Sequence, residues 1–123
     1  MNGGQEAKRR GNLGEAVVIA YLRERGWNIV EVNFHSKYGE IDLIAENGTF
    51  LAFVEVKLRR DSDFAAAREA VTKSKQRKLR TTALYYLQWH PTNLQPRFDV
   101  AEVYAPMGAA TLSPEVTYLE NAF

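Results

Sequence analysis

Two apolar-rich runs separated by Asn47-Gly48 constrain this chain more than any other stretch: GEIDLIAENGTFLAFVEVKLR, from Gly39 to Arg59. Asn-Gly between such runs predicts a two-residue type I′ hairpin turn, with antiparallel strands over about residues 40–45 and 49–58. In that register Glu46 faces Thr49, Ala45 faces Phe50, Asp42 faces Phe53, Glu40 faces Glu55 and Tyr38 faces Lys57. Because strand side chains alternate, Ile41, Leu43, Val54 and Val56 form a clean apolar face. The other face carries Glu40, Asp42, Ile44, Leu51, Phe53, Glu55 and Lys57. Like charges opposite one another destabilise a sheet, so Glu40 and Glu55, with Asp42 close by, call for a compensating cation: Lys57, a metal ion, or both. A solvated ion-pair face is the plain alternative. Against it stands the spacing Asp-x12-Glu-x-Lys across a tight hairpin. Two carboxylates on adjacent strands suit Mg²⁺, which takes hard oxygen ligands and keeps several waters. A lysine two residues on lies to the same side, where it serves a water or a phosphoryl group.

The remaining order follows from periodicity and turn chemistry. Residues 1–11 (MNGGQEAKRRG) read as a flexible basic N-terminal arm, and residues 12–123 as a single domain. A helix over about 12–26 ends at Gly26. Asn12-Leu13-Gly14-Glu15 matches a capping box; a helix starting near Gly4–Glu6 instead puts Glu15 mid-helix on an apolar flank, where a carboxylate needs a partner. Trp27–Asn33 reads as a strand, and Phe34–Tyr38 as a short connection. Asp61–Ala67 leaves the hairpin as a loop or helix start, and a helix over about 68–89 carries Val71, Lys75, Leu79, Thr82, Ala83 and Tyr86 at helical spacing. Lys75 therefore falls on the core-facing stripe, reaching the carboxylates or a phosphate, or else snorkelling to solvent. Arg97–Tyr104 and Val116–Glu120 are the last two strands, with Phe98 and Val100 inward and Arg97 and Asp99 sharing the opposite face, where they are able to pair. The fold class is α/β, a mixed β-sheet flanked by helices in the order α-β-β-β-α-β-β, with a helical crossover into a parallel strand.

Composition narrows the function classes. The absence of cysteine removes disulfides and thiolate zinc sites. No apolar run approaches a membrane span, and the polar N-terminus lacks a signal peptide's apolar region, so a cytoplasmic protein is expected. Net charge is only +1, but Lys8-Arg9-Arg10, Lys57 to Arg60 and Lys73 to Arg80 are basic clusters. Each is by itself an ordinary solvated run; set around a carboxylate centre, they suit a phosphodiester substrate. His35 and His90 form no ligand spacing and read as structural or surface residues.

Asp42…Glu55-Val56-Lys57 resembles the signature of the PD-(D/E)XK nucleases, the restriction endonuclease-like and Holliday junction resolvase-like superfamily. GEIDLIA, FVEVKLR, RFDV and the terminal NAF resemble, more narrowly, the YraN-like family of small bacterial predicted nucleases, over roughly Gly14 to Phe123. The proline of the superfamily name is absent: Glu40-Ile41 precede Asp42. The resemblance implies a restriction endonuclease-like fold and metal-dependent hydrolysis of nucleic acid, DNA that is branched or otherwise structured being one substrate class. It implies Asp42 and Glu55 as ligands of Mg²⁺ or Mn²⁺, Glu15 on the first helix as a further acidic site member, and Lys57 as the residue acting on water and phosphate. Glu40 enters as an additional ligand or a supporting group. Lys73, Lys75, Gln76, Lys78 and Arg59 are the candidate nucleic-acid contacts, Lys75 and Gln76 being alternatives for the polar contribution of the second helix. Relatives often carry a glycine bend where this chain has Ala65-Ala66-Ala67. Junction resolvases act as dimers, which raises a homodimer as one arrangement. A non-catalytic nucleic-acid-binding module on the same fold is the alternative function, and a structural interaction protein a third.

Overall fold

The computed structural model describes residues 3–61 and 71–123, with side chains described from Leu13 onward. Among the described residues, two α-helices and five strands follow the order α1 (Gly3–Glu24), β1 (Asn28–Ser36), β2 (Gly39–Glu46), β3 (Phe50–Arg59), α2 (Lys73–Trp89), β4 (Gln95–Tyr104) and β5 (Glu115–Leu119). A 3₁₀ turn at Gly108–Ala110 precedes β5. The strands form one sheet in the order β1-β2-β3-β4-β5, antiparallel except for β3 and β4, which run parallel from Phe50↔Gln95 to Arg59↔Tyr104. This is the mixed sheet, with its crossover through α2, that the alternation of patterns implies.

The sheet is covered on both faces, which is why its central strands read as near-continuous apolar runs. Leu43, Ala45, Ala52, Val54, Ala101 and Val103 pack under Val18 and Leu22 of α1. Ile44, Leu51, Phe53 and Val100 pack under Leu79, Ala83 and Tyr86 of α2. Gly14 lets α1 approach β3: a β-carbon there would lie 3.2 Å from Val56 Cγ1.

Several boundaries differ from the sequence expectation. The first helix begins at Gly3 rather than near residue 12, and so takes in most of the segment read as an arm. Glu15 is thus mid-helix and buried, the second of the two alternatives rather than the capping box. The first strand runs on to Ser36, and a two-residue turn, Lys37-Tyr38, joins it to β2 through the pair Ser36↔Gly39. The expected loop or helix start at Asp61–Ala67, the alanine run and the start of a helix at 68 fall almost wholly outside the described residues. The described helix starts at Lys73, where the Thr72 side chain accepts the Lys75 amide, an N-cap.

The Asn47-Gly48 turn joins the expected strands, but in a different register. Asn47 is not among the non-glycine residues with positive φ, whereas a type I′ turn needs positive φ at both central positions. Its side-chain oxygen instead accepts the amides of Thr49 at 3.0 Å and Phe50 at 2.8 Å, an Asx-type capture that lengthens the loop. The pairs become Glu46↔Leu51, Ala45↔Ala52, Ile44↔Phe53 and Leu43↔Val54. A two-residue slip preserves side-chain facing, so most of the apolar division between faces survives. Ile41 departs from it, packing with the α2 cluster rather than beside Leu43.

The terminal Asn121-Ala122-Phe123 is tied down by β4. Asp99 is fully buried, accepts two hydrogen bonds from Arg97 (2.9 and 3.0 Å), one from the Tyr118 hydroxyl (2.6 Å) and one from the Asn121 amide (2.8 Å). The Ala122 amide donates to the Phe98 carbonyl, and Phe123 stacks on Phe98. The RFDV and NAF segments are therefore one structural unit. Removing one member of a buried ion pair leaves an uncompensated charge. Asp99→Ala is expected to destabilise the protein by about 3–5 kcal/mol in chemical denaturation.

Candidate active site

The hairpin's two strands do not stay paired along their whole length. Their ladder ends at Leu43↔Val54. Beyond it β2 continues against β1 as far as Ser36↔Gly39, and β3 continues against β4 as far as Arg59↔Tyr104. At the parting the Val56 amide donates to the Asp42 carboxylate, at 2.8 Å, in place of a backbone acceptor on β2. Asp42 is thus held by the main chain of the residue that follows Glu55.

Glu55 is buried, with its side chain 6% exposed, and one of its oxygens lies 3.5 Å from Lys57 Nζ and 3.4 Å from Lys75 Nζ. Both separations exceed ordinary hydrogen-bond length, so the lysines balance the charge of Glu55 without being locked to it. Lys57 shares the face of Glu55 on β3, and Lys75 arrives from the first turn of α2. Glu15 comes from α1 and accepts a hydrogen bond from Asn33 Nδ2 at 3.1 Å. Asn33 takes the left-handed φ of 55° on β1, a conformation asparagine tolerates better than most residues. Glu40 stands across from His35, whose Nδ1 lies 3.1 Å from it.

The electrostatics are those of a crowded carboxylate site. Burial pushes the Asp42 carboxyl up to about 7, with the charges of Glu55, Glu15 and Glu40 acting in the same direction and the Val56 amide opposing them. Glu15 is also raised, first by burial and then by Glu40, against the pull of Asn33. Among the described residues Lys57 and Lys75 set positive charge against this cluster, and a bound cation would favour the ionised forms that burial opposes. Among the described residues no three acidic or imidazole groups converge tightly enough to enclose an ion by themselves. An ion held here would have to keep much of its water shell and take one or two carboxylates, as Mg²⁺ does.

The other sequence candidates are distributed unevenly. Lys73 and Lys78 are exposed on the first turns of α2. Gln76 turns its side-chain amide back to the Val71 carbonyl, at 3.1 Å. Arg59 gives its Nε to Glu102 at 2.7 Å. Glu102 was not among the sequence candidates, yet it is buried and pairs in register with Lys57. The period of two from inward Val100 places it on that face. Together Glu55, Lys57, Arg59 and Glu102 make an alternating-charge array across β3 and β4.

The raised carboxyl gives a pH dependence of defined sign. An acid that binds its proton more tightly when folded contributes stability below its ordinary pKa and loses it as pH rises through the folded value. For Asp42 the loss runs from the ordinary 3.8 to about 7. Without divalent ions, wild-type stability is expected to fall across that interval. Asp42→Asn is expected to flatten the fall and to be at least as stable as wild type above it, as read by thermal melts over a pH series.

Comparison with known proteins accounts for most of the chain. Residues 14–103 match the model of the uncharacterised protein family UPF0102. A UPF0102 protein of Alkaliphilus metalliredigens is 40% identical over 118 residues, covering 95% of this chain and 99% of that protein. One from Caldicellulosiruptor saccharolyticus is 40% identical over 114 residues, 92% of this chain and 95% of its own. One from Geotalea daltonii is 38% identical over 122 residues, 98% and 94% of the two chains. The matched span includes every strand that builds the site, and the chain belongs to the family UPF0102.

Proposed function

We propose that this chain is a metal-dependent nuclease of the PD-(D/E)XK type within the YraN-like group, hydrolysing phosphodiester bonds in DNA. The observation that carries the reading is the meeting of Asp42 with the Glu55–Lys57 pair where β2 and β3 part, with Lys75 added from α2. Asp42 and Glu55 would hold Mg²⁺ or Mn²⁺, with Glu15 reaching it directly or through water. When bound, the ion supplies Lewis-acid stabilisation of the phosphoryl group and lowers the pKa of an attacking water. The chain's own contributions follow from its geometry. The Val56 amide fixes the orientation of Asp42, and Asn33 that of Glu15. Lys57, loosely drawn to Glu55, supplies a positive charge to steady the phosphate and orient the water that attacks it. Lys73 and Lys78 supply sequence-independent contacts to the flanking backbone. No described helix is long and apolar enough to cross a membrane, and the reading puts the protein in the cytoplasm with its nucleic acid.

A second reading, a nucleic-acid-binding module without catalysis, draws on the charge balance of Glu55 by two lysines and on the lack of a three-ligand cluster among the described residues. Cleavage of labelled linear, flapped and branched DNA, and of RNA, with Mg²⁺, Mn²⁺ or EDTA separates the two. The enzyme reading expects cutting that requires the ion, abolished in Asp42→Asn. Lys57→Ala should retain ion binding yet cut at least about a hundred-fold more slowly, the scale for losing a group that acts on the transition state. No cutting of any substrate under any ion condition leaves the binding module. Replacing Lys73 and Lys78 together should lower the log–log salt slope of binding by about one unit per lost phosphate contact. An unchanged slope would show a merely solvated helix face.

A further inference from the structure

On the α2 side of the β1–β2 turn, three aromatic rings form a surface strip. Tyr38, in the turn itself, lies 5.7 Å from Tyr85 centroid to centroid, and Tyr85 lies 6.5 Å from Trp89 at the end of α2. The interplanar angles are 60° and 63°, so the three rings meet edge to face rather than stacking on one another, and Tyr85, half-buried, also packs against Phe34 at 6.4 Å. Burial does not account for the strip: Trp89 is 68% exposed, Tyr38 43%, and the adjoining Leu84 68%. Beside it is a hollow of about 440 Å³ lined by Tyr38, Thr81, Leu84, Tyr85 and Gln88. Aromatic walls there accompany the side-chain amide of Gln88, a group that can read a base edge, while the Thr81 hydroxyl donates to the Arg77 carbonyl at 3.0 Å and keeps only its acceptor capacity.

Charge and position specify the occupant. Lys37 Nζ sits 5.3 Å from the Tyr38 ring centroid. Lys78 is exposed and, seven residues before Tyr85, lies two helical turns along the same flank of α2. The strip also leads to the carboxylate site. Tyr38 immediately precedes β2, in which Asp42 lies three residues from Gly39, about 10 Å at the strand rise, and a β-carbon on Gly39 would touch Thr82 of α2 at 3.2 Å. Aromatic faces set among cations are how proteins hold unpaired nucleotides, whose bases stack on the rings while lysines follow the phosphates. Paired bases are already stacked on one another and gain nothing from such a strip.

We propose that Tyr38, Tyr85 and Trp89, with Lys37 and Lys78, form a binding track for single-stranded nucleic acid, so that the chain engages a strand with unpaired bases next to the carboxylate site. The binding stands on the strip alone; that the strand is cut there rests on the nuclease reading. The test keeps the two apart by using the full-length Asp42→Asn protein in EDTA, where cleavage is silent. Short oligothymidylate and oligouridylate are titrated against a duplex of equal length, following tryptophan fluorescence and the anisotropy of a labelled strand. Single strands should bind about ten-fold tighter than duplex and quench the emission. Trp89→Ala should weaken single-strand binding about ten-fold with an unchanged melting temperature, and Trp89→Phe should restore most of it. Tyr85→Ala should act likewise, and if it lowers the melting temperature the Trp89 pair of variants decides. Equal affinity for duplex, or wild-type affinity in Trp89→Ala, overturns the proposal. So does a wild-type dimer in sedimentation that Trp89→Ala dissociates, since the strip then covers a second copy of the chain. Single-strand binding without cleavage by the wild-type protein in Mg²⁺ would remove the nuclease reading and leave the track standing.

Discussion

One hydrogen bond organises the carboxylate-bearing end of this fold: the Val56 amide donating to the Asp42 carboxylate. An unpaired amide inside a protein is expensive, and the β2–β3 ladder stops short of Val56. Asp42 supplies the acceptor that the backbone of β2 no longer does. The sheet therefore divides into a β1–β2 ribbon and a β3–β4–β5 half, each still paired along its length. The division is what admits groups from both layers. Glu15 enters from α1 and Lys75 from α2, although the two helices lie on opposite faces of the sheet.

The same bond sets a tension. Asp42 is held in place by an interaction that favours its charged form, but its surroundings favour the proton. Burial of several carboxylates together, with Lys57 and Lys75 set against them among the described residues, is a poor arrangement for stability. The rest of the molecule offsets it with two apolar clusters, one beneath each helix, and with the Asp99 network that fastens the C-terminus to β4. A site strained in this way, within a scaffold satisfied elsewhere, is the pattern expected when local stability is given up for binding or chemistry.

Most of this was legible in the residues, and the failures have physical causes. The period of two picked out the acidic residues and the lysine as candidates, and the two-residue slip preserved it from Leu43 to Glu46, but the alternation breaks before Ile41, at the carboxylate end of β2. The register itself was hidden: Asn-Gly suggests a type I′ turn, but the Asn47 side chain competed for two amides and won. The start of α1 was obscured because Gly3, Gly4, Gly11 and Asn12 are poor helix formers, and an apparent capping box offered a later start. The turn at Lys37-Tyr38 carries no glycine or asparagine at its centre and read as a connection. Arg97 and Asp99 were paired correctly from their shared face. Their capture of Tyr118 and the Asn121 amide was not readable, because it joins strands through geometry alone. Glu102 was overlooked although the alternation that placed Val100 inward also places it beside Lys57.

The central claim is that Asp42 and Glu55 form a divalent-cation site rather than an ion-pair network. Calorimetric titration of Mn²⁺ into wild type and Asp42→Asn, each shown to be folded, addresses it most directly. A saturable binding event in wild type that vanishes in Asp42→Asn is the predicted result. Absence of binding in wild type, or the same binding in both proteins, would contradict it and leave the carboxylates as a structural network with Lys57 and Lys75.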